Sequence, residues 1–586
     1  MAKVMDAENI AVARHSLAHV LAKAVCELYD DVKLGIGPNI EHGFYYDFDL
    51  PHTLKEEDFP KIEAKMTEIL NRDETFEKWD IEGERQFAGQ PYKLELIREL
   101  AEKGELATAY SLGEGFYDLC AGPHVSGTRE LRNWGWCIAS VAGAYWRGNS
   151  ERPMQQRIYC HAFPSRAELK KHLAFLEEAK KRDHRLLGNQ LDLFFFDETA
   201  PGMPYWLPKG LKVYNTLMAF SRKVHEDRGY HEMSGPQMNS RVLWETSGHW
   251  EHYHDDMFIV ETENAVPYAL KPMNCPNHIM AFKRKNRSYR DLPLRFFETS
   301  VLHRKEASGA MHGMLRVQAF RQDDAHNFIT EDQIESEINE ILDIADYLYD
   351  TFGLTYRPVL STRPEEGYLG EIELWDKAEA SLRKVLDARY PGGYDVNEGD
   401  GAFYGPKIDI LMRDVLGREW QLSTVQLDFQ LCRRFDVYYT DSNGKREHPV
   451  MIHRALYGSF ERFIGLLIEN FAGKFPFWFS PVQIGIVPVH SEHEQYAHKI
   501  AAELSEQGYR VHVDISDGTM GNKIKSYRHQ LIPYVIILGD AEAAADTVSL
   551  RTRSGKQING IPLEAFSRAC KKMTDEKTLE LIEEIE

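Results

Sequence analysis

The spacing of apolar and polar positions changes character along the chain. In residues 10–28, Ile10, Ala13, Leu17, Val20, Leu21, Ala24 and Leu28 recur every three to four positions, which predicts an amphipathic helix. β-type runs follow at 43–48 and 142–146. Ser165 with Glu168, after Pro164, is a capping-box pattern. It opens a charged helix over 166–187 that reads as a connector between domains. From about 190 to 480, helical and strand-like stretches mix without βαβ alternation, which predicts an α+β domain with a largely antiparallel sheet. After Pro481 the order becomes strand 482–489, helix 492–507, strand 510–515, helix 523–530, and strands 534–538 and 547–553, a compact α/β unit. The expected organisation is a domain over 1–163, a connecting helix over 164–187, a large domain over 188–478 and a last domain over 479–586.

Composition adds less than the pattern does. The 586 residues are 43% hydrophobic and 27% charged, values of an ordinary soluble chain with several cores. The net charge of −21, from 70 basic against 91 acidic residues, argues against a surface coated in nucleic acid. Local runs oppose that sign: Lys283, Arg284, Lys285, Arg287 and Arg290; Lys523, Lys525 and Arg528; Arg551, Arg553 and Lys556. No uninterrupted apolar window is long enough for a transmembrane helix, and residues 1–10, with Asp6 and Glu8, do not read as a secretory signal. Seven scattered cysteines lack disulfide-framework spacing, so the expected compartment is the cytoplasm.

Two constellations carry chemistry. His15 and His19 share a helix face, and Cys120 with His124 supplies a second close pair. The four residues suit either a tetrahedral zinc site or a hydrolytic cluster that positions water. The second constellation runs from Arg304 and Glu306 through Arg316 and Phe320 to Gln322, Asp323, Asp324 and His326, and resumes at His453 and at Gly458–Ser459 with Arg462. The arginines offer planar forks for phosphate or carboxylate oxygens. No Walker A loop or Rossmann glycine fingerprint is present, so any ATP must be held by arginines and metal ions. Cys275 lies in a rigid Lys271–Pro–Met–Asn–Cys–Pro turn, and spacing alone does not group it with His326 and His453.

Together these residues resemble the class II aminoacyl-tRNA synthetases, and among them the bacterial-type threonyl-tRNA synthetases, over essentially the whole chain. Residues 229–236 look like motif 1, the stretch from Arg304 to Phe320 like motif 2, and 458–462 like motif 3. Each is weak alone. Their order, with the blocks LKPMNCPNH, QDDAHNF, EGDGAFYGPKID, STVQLDFQL and PVMIHRALYGSFERFIG, carries the resemblance.

The resemblance implies an antiparallel-sheet catalytic core, an N-terminal α+β editing domain and a C-terminal α/β anticodon-binding domain. It implies a threonine–tRNA ligase that forms threonyl-adenylate from L-threonine and ATP with Mg2+, transfers it to the 3′-end of tRNA(Thr) and hydrolyses seryl-tRNA, working as a homodimer. Arg304 would bridge carboxylate and α-phosphate, Glu306 would read adenine, Phe320 and Arg462 would sandwich the ring, Arg316 would hold the γ-phosphate, and Gln421 would join the ATP site. His249 matches a histidine proposed to assist transfer. Cys275, His326 and His453 would bind one Zn2+ per subunit. Asp324 would accept the threonine hydroxyl proton, and Met273, Gln322, Tyr404, Lys407, Gln426 and Ser459 would complete the amino-acid pocket. His15, His19, Tyr46, Lys93, Asp118, Cys120 and His124 match the editing site, for which the resemblance implies no zinc. Glu542 and Arg551 match anticodon contacts.

The chain departs from the pattern at Gln318 and Arg321 in motif 2, and at Asp517 and Leu531 in the last domain. It also begins at the editing domain, where most relatives carry a small ubiquitin-like domain first. Two other readings compete: a zinc hydrolase built on the N-terminal quartet, and a non-catalytic RNA-binding paralogue. The complete set of motif arginines and zinc residues counts against both.

Overall fold

The structure is a computed structural model describing residues 6–81, 83–261 and 266–585; of the N-terminal stretch read above, residues 1–5 lie outside the described part. The chain divides into two compact units, Met1–Glu178 and Ala179–Glu586.

In the first unit the predicted amphipathic helix forms over Ala7–Leu28, and the Asp6 side chain caps it by accepting from the Asn9 N–H. Its apolar stripe, including Leu17, Val20, Leu21 and Ala24, packs on the helix Phe59–Asn71 and the strand Gly43–Asp49. That strand lies in an antiparallel five-stranded sheet with Lys33–Leu34, Asn39–Ile40, Met154–Phe163 and Gly135–Tyr145. A smaller antiparallel sheet joins Phe76–Asp80, Thr108–Leu112 and Tyr117–Leu119.

The connector departs from its predicted span. Ser165 and Glu168 do form the capping contacts, but the helix stops at Arg182 and a second one, His184–Gln190, starts after Asp183. The Asp183 carboxylate accepts from the Arg185 N–H, an N-cap that competes with helix continuation. Arg182 turns to the last carbonyls of the helix Phe460–Asn470, Glu469 O and Asn470 O.

The second unit is built on an eight-stranded sheet ordered His231–Glu232, Leu294–Glu298, Asp324–Ile329, Val450–Ala455, Glu419–Asp428, Lys407–Arg413, Thr355–Ser361 and Asp395–Asn397. The six inner strands pair antiparallel and the two edge strands parallel. The helices Pro208–Asp227, Ile334–Thr351, Ile372–Arg389 and Phe460–Asn470 bury their apolar faces in its main core. The last residues form a five-stranded sheet ordered Val511–Val513, Ile484–Pro488, Tyr534–Leu538, Thr547–Thr552 and Gln557–Pro562, with a core of its own. The first three of its strands are parallel and the final two antiparallel. The predicted order of elements after Pro481 is therefore observed, with ends shifted by a few residues.

Candidate active sites

Strand register assembles the proposed metal site. His326 and His453 pair directly across Asp324–Ile329 and Val450–Ala455. Such neighbours share a sheet face, and the two imidazole centroids lie 4.7 Å apart. Cys275 arrives at the start of the helix Cys275–Lys283. Its Sγ and one nitrogen from each imidazole all fall within 4.8 Å of one another. Hydrogen bonds decide which nitrogens remain. His453 donates Nε2–H to Asp428 at 3.0 Å, leaving Nδ1. Asp428 is itself held by the Gln430 and Leu431 N–H groups at 2.6 and 3.0 Å. His326 uses Nδ1 toward His278 at 2.8 Å, leaving Nε2. Burial, with His278 and His453 adding to it, holds the His326 pKa well below the usual histidine range, so the ring is neutral as a ligand must be. Burial also pushes the Cys275 thiol up, with Asp324 and Asp428 adding to it; a divalent cation would reverse that shift. One thiol and two imidazoles with their outer nitrogens committed, open to a cavity, fit a three-ligand zinc site.

The cavity has a volume of about 790 Å³. His249, Met273, Cys275, Arg304, Glu306, Arg316, Phe320, Gln322, Asp324, His326, Tyr404, Gln421, Gln426, His453, Ser459 and Arg462 all line it. Lys407 is outside that lining; its ammonium pairs with Asp400 and Asp409 at 3.2 and 3.1 Å. Phe320 lies in the hairpin Val301–His303/Ala319–Arg321, opposite Leu302, and Arg304 directly follows its first strand; the Arg304 guanidinium stands 5.2 Å from the Phe320 ring centre and 5.8 Å from that of Tyr253. Arg316 Nε donates to Glu306 Oε2 at 2.9 Å, so the two side chains pair with each other at the cavity wall. Arg462 sits on the first turn of Phe460–Asn470, whose N-cap Ser459 accepts from the Arg462 N–H at 3.1 Å. The turn before it passes close to the neighbouring strand: Gly458 has φ +73°, and a Cβ there would meet Leu422 O at 2.3 Å.

His249 is 1% exposed. Its Nδ1–H donates to Ser247 Oγ at 2.7 Å, because the Ser247 hydroxyl is itself spent on Trp244 O at 3.1 Å. Nε2 is thereby an acceptor, buried and without a partner among the described residues. Burial, then His453 and Arg304, hold its pKa down at about 3. The sequence reading missed the residues that set these orientations. Asn274 donates to Asp324 at 2.9 Å, and Trp420 faces Arg462 across 5.9 Å. Both lie inside or beside the recognised blocks, but nothing local marks their roles; the same holds for Ser247 and Asp428.

In the first unit the predicted quartet also converges, and its donor atoms again lie within 4.8 Å. His15 gives Nδ1–H to Gly37 O at 3.1 Å, so its Nε2 accepts from Cys120 at 3.0 Å. Ser16 gives its hydroxyl to Val12 O at 2.9 Å, so it accepts from His124 Nδ1–H at 3.0 Å. The His124 Nε2 lone pair then also faces Cys120 Sγ, at 3.3 Å. Burial, with the neighbouring imidazoles, lowers His124 to about 2; burial likewise takes His19 well below its usual range and pushes the Cys120 thiol up to about 11. At neutral pH the cluster is three neutral imidazoles and a thiol, a set that binds a polarisable water or a cation rather than presenting a thiolate nucleophile. Beside it, Lys93 pairs with Asp118 at 2.6 Å, and Tyr46 donates to the same carboxylate. His19 Nε2 lies 3.8 Å from Asp118.

In the last domain some members of the basic runs turn inward. Lys523 is 9% exposed and donates to Asp514 O at 3.0 Å. Arg553 donates to Phe475 O at 2.8 Å. Arg551 remains exposed on Thr547–Thr552, whereas Glu542 accepts from Gly539 N–H and Ser549 Oγ at 2.9 and 2.6 Å.

Known proteins match this architecture in three parts. The second additional domain of threonyl and alanyl tRNA synthetases matches residues 108–159. The class II tRNA synthetase core domain (G, H, P, S and T) matches residues 258–471, and an anticodon-binding domain matches 483–573. The threonine–tRNA ligase of Thermotoga petrophila is 48% identical over 586 residues, covering 99% of this chain and 90% of that protein. That of Clostridioides difficile is 45% identical over 569 residues, covering 96% and 88%. Among solved structures, the RNA binding domain of threonyl-tRNA synthetase from Cryptosporidium parvum superposes with a TM-score of 0.65 at 42% identity, covering 67% of this chain and 98% of that one. With identity this high along nearly its full length, the chain belongs to the threonine–tRNA ligases, a family of class II aminoacyl-tRNA synthetases.

Proposed function

We propose that this chain activates L-threonine with ATP, transfers the threonyl group to the 3′-end of tRNA(Thr), and clears mischarged seryl-tRNA in its first unit. The observation that carries the reading is one cavity in which a three-ligand metal set, Arg304, Arg316, Arg462 and the unpartnered Nε2 of His249 face one another. In activation a threonine carboxylate oxygen attacks the α-phosphorus of ATP, and the bond to pyrophosphate breaks. Positioning and charge stabilisation do most of that work. Arg304 bridges the carboxylate and α-phosphate, Phe320 and Arg462 hold the adenine between them, Glu306 reads its edge, Gln421 lies alongside, and Arg316 takes the γ-phosphate. Mg2+ accompanies ATP. In transfer, His249 Nε2 accepts a hydroxyl proton from the terminal ribose as its 3′-oxygen attacks the threonyl carbonyl carbon, and the bond from that carbon to the adenylate phosphate oxygen breaks, releasing AMP.

Cys275 Sγ, His326 Nε2 and His453 Nδ1 would hold zinc, which supplies a Lewis-acid contact for the amino and hydroxyl groups of threonine. Asp324, oriented by Asn274, accepts the hydroxyl proton, and Met273, Gln322, Tyr404, Gln426 and Ser459 close the pocket, with Lys407 one layer out. A site that demands a hydroxyl rejects valine strongly, yet it separates serine by only about 1–3 kcal/mol, the worth of one methyl. The neutral quartet His15, His19, Cys120 and His124, with Tyr46, Lys93 and Asp118, supplies the second sieve by holding water against the seryl ester without a metal. Glu542 and Arg551 are proposed anticodon contacts. We extend the reading to a homodimer joined through 229–236 and to a cytoplasmic enzyme; all seven cysteines are free, and no helix among the described residues is long and apolar enough to cross a membrane. The three domains, 1–163, 188–478 and 479–586, with the connector 164–187, remain part of this proposal. ATP–pyrophosphate exchange across the standard amino acids tests it: threonine supports exchange, serine supports less and valine almost none. Absence of threonine-dependent exchange in zinc-replete protein refutes it.

A further inference from the structure

Behind the metal ligands runs a buried polar chain that the proposed chemistry does not use. His278 lies three residues after Cys275 on the same helix, so the element that delivers the thiol also delivers this imidazole. Its Nδ1 lies 2.8 Å from Nδ1 of His326, with the rings perpendicular and 4.7 Å apart. Its Nε2 lies 3.1 Å from Glu298 Oε2. The other Glu298 oxygen, Oε1, accepts from Lys271 Nζ at 2.7 Å and from the Gly235 N–H at 2.9 Å. Lys271, His278 and Glu298 are all 0% exposed, and His326 is 2% exposed. Burial of an ion pair and two imidazoles is costly unless each group is placed for a purpose.

The proton positions follow from the carboxylate. An ionised carboxylate only accepts, so His278 carries its hydrogen on Nε2 and offers a lone pair at Nδ1. The hydrogen between the two Nδ1 atoms then belongs to His326. That leaves His326 Nε2 as a lone pair on the side of Cys275 and His453. Reversing any link moves the hydrogen on His326 to Nε2, the atom a metal needs.

We propose that His278, oriented by Glu298 and its partner Lys271, is the positioning residue that locks His326 in its metal-binding tautomer and so sets zinc affinity and, through it, threonine recognition. The proposal rests on the assignment of Cys275, His326 and His453 as zinc ligands. Because Glu298 Oε1 takes both the Lys271 and Gly235 hydrogens, an amide at this position keeps those two contacts through its oxygen and turns its NH2 toward His278. That NH2 donates to His278 Nε2, forces the hydrogen of His278 onto Nδ1, and makes His326 Nδ1 the acceptor. Glu298→Gln thus inverts the chain while nearly conserving shape.

The test measures zinc affinity of the full chain by competition with a chromogenic chelator, for the parent, Glu298→Gln, His278→Phe and Cys275→Ser. Expected are a 10- to 100-fold loss of affinity in Glu298→Gln and in His278→Phe, the range seen when partners of metal-bound histidines are removed. The threonine KM should rise while the ATP KM stays within twofold. Zinc affinity within twofold of the parent in Glu298→Gln overturns the proposal, and a fall only in the thermal stability of the zinc-stripped variant does the same by assigning Glu298 a purely structural role. A parent that binds zinc no better than Cys275→Ser sinks the ligand assignment itself, which is a different failure.

Discussion

Replacing His19 by alanine separates the two proposed activities. His19 is 2% exposed, its ring centre lies 4.3 Å from that of His124 and 5.2 Å from that of His15, and its Nε2 is 3.8 Å from Asp118. Its Nδ1 has no hydrogen-bond partner among the described residues, so truncation breaks no bond there. The stability cost is that of a cavity, of order 2–4 kcal/mol for a buried ring. The catalytic cost is larger in rate terms: a positioned acid–base group contributes about 10²- to 10⁴-fold, or roughly 3–5 kcal/mol of barrier. His19→Leu refills most of the volume without returning a nitrogen, and so distinguishes the two costs. Deacylation of purified seryl-tRNA by parent, His19→Ala and His19→Leu is the assay, with ATP–pyrophosphate exchange as the companion measurement. Both variants should lose seryl-tRNA clearance by at least a hundredfold and keep threonine-dependent exchange within twofold. Clearance within twofold of the parent in His19→Leu refutes the assignment of this cluster as the hydrolytic site.

Metal analysis should find one zinc per chain, abolished in Cys275→Ser; two per chain would mean that the N-terminal quartet is metallated. Arg316→Ala should raise the ATP KM in exchange while leaving the threonine KM near its parent value, since the Arg316 side chain pairs with Glu306, which is proposed to read adenine, and not with the metal set; a rise in the threonine KM alone contradicts the placement. Burial pushes Glu461 up to about 7, against the hydrogen bond its carboxylate accepts from the Arg321 N–H at 2.9 Å. Its folded pKa thus lies above the unfolded value, so its contribution to stability is complete below about pH 4.5 and is lost as pH rises through 7. Glu461→Gln removes that loss: the variant should match the parent near pH 4 and exceed it by up to about 3 kcal/mol near pH 8 in denaturant unfolding. Equal pH profiles would show that Glu461 does not titrate in this range.

Some of this was legible because it is local. The three-to-four periodicity of residues 10–28 placed His15 and His19 on one helix face, and the structure has them there. The capping box at Ser165 and the alternating runs after Pro481 likewise produced the expected elements. The connector was misjudged where a tertiary partner intervenes: its charged pattern continues past residue 182, but the Asp183 cap and the reach of Arg182 to Glu469 O and Asn470 O break the helix. The basic runs show a similar limit, since charge along the sequence does not say which side chains turn inward. Lys523 and Arg553 satisfy backbone carbonyls instead of facing solvent.

The sequence by itself therefore determined the order of elements, the family resemblance and the types of side chain available for chemistry. The tertiary structure decided how those side chains are used. Cys275, His326 and His453 meet because strand register places two imidazoles opposite each other and a helix start beside them. Their usable nitrogens, like those of His15 and His124, are chosen by acceptors distant in sequence, such as Asp428, Gly37 O and Ser16. The physical reason is range. Periodicity and capping act between residues a few positions apart, whereas a buried tautomer is set by whichever donor or acceptor the folded chain brings within 3 Å, and that partner leaves no mark in the local pattern.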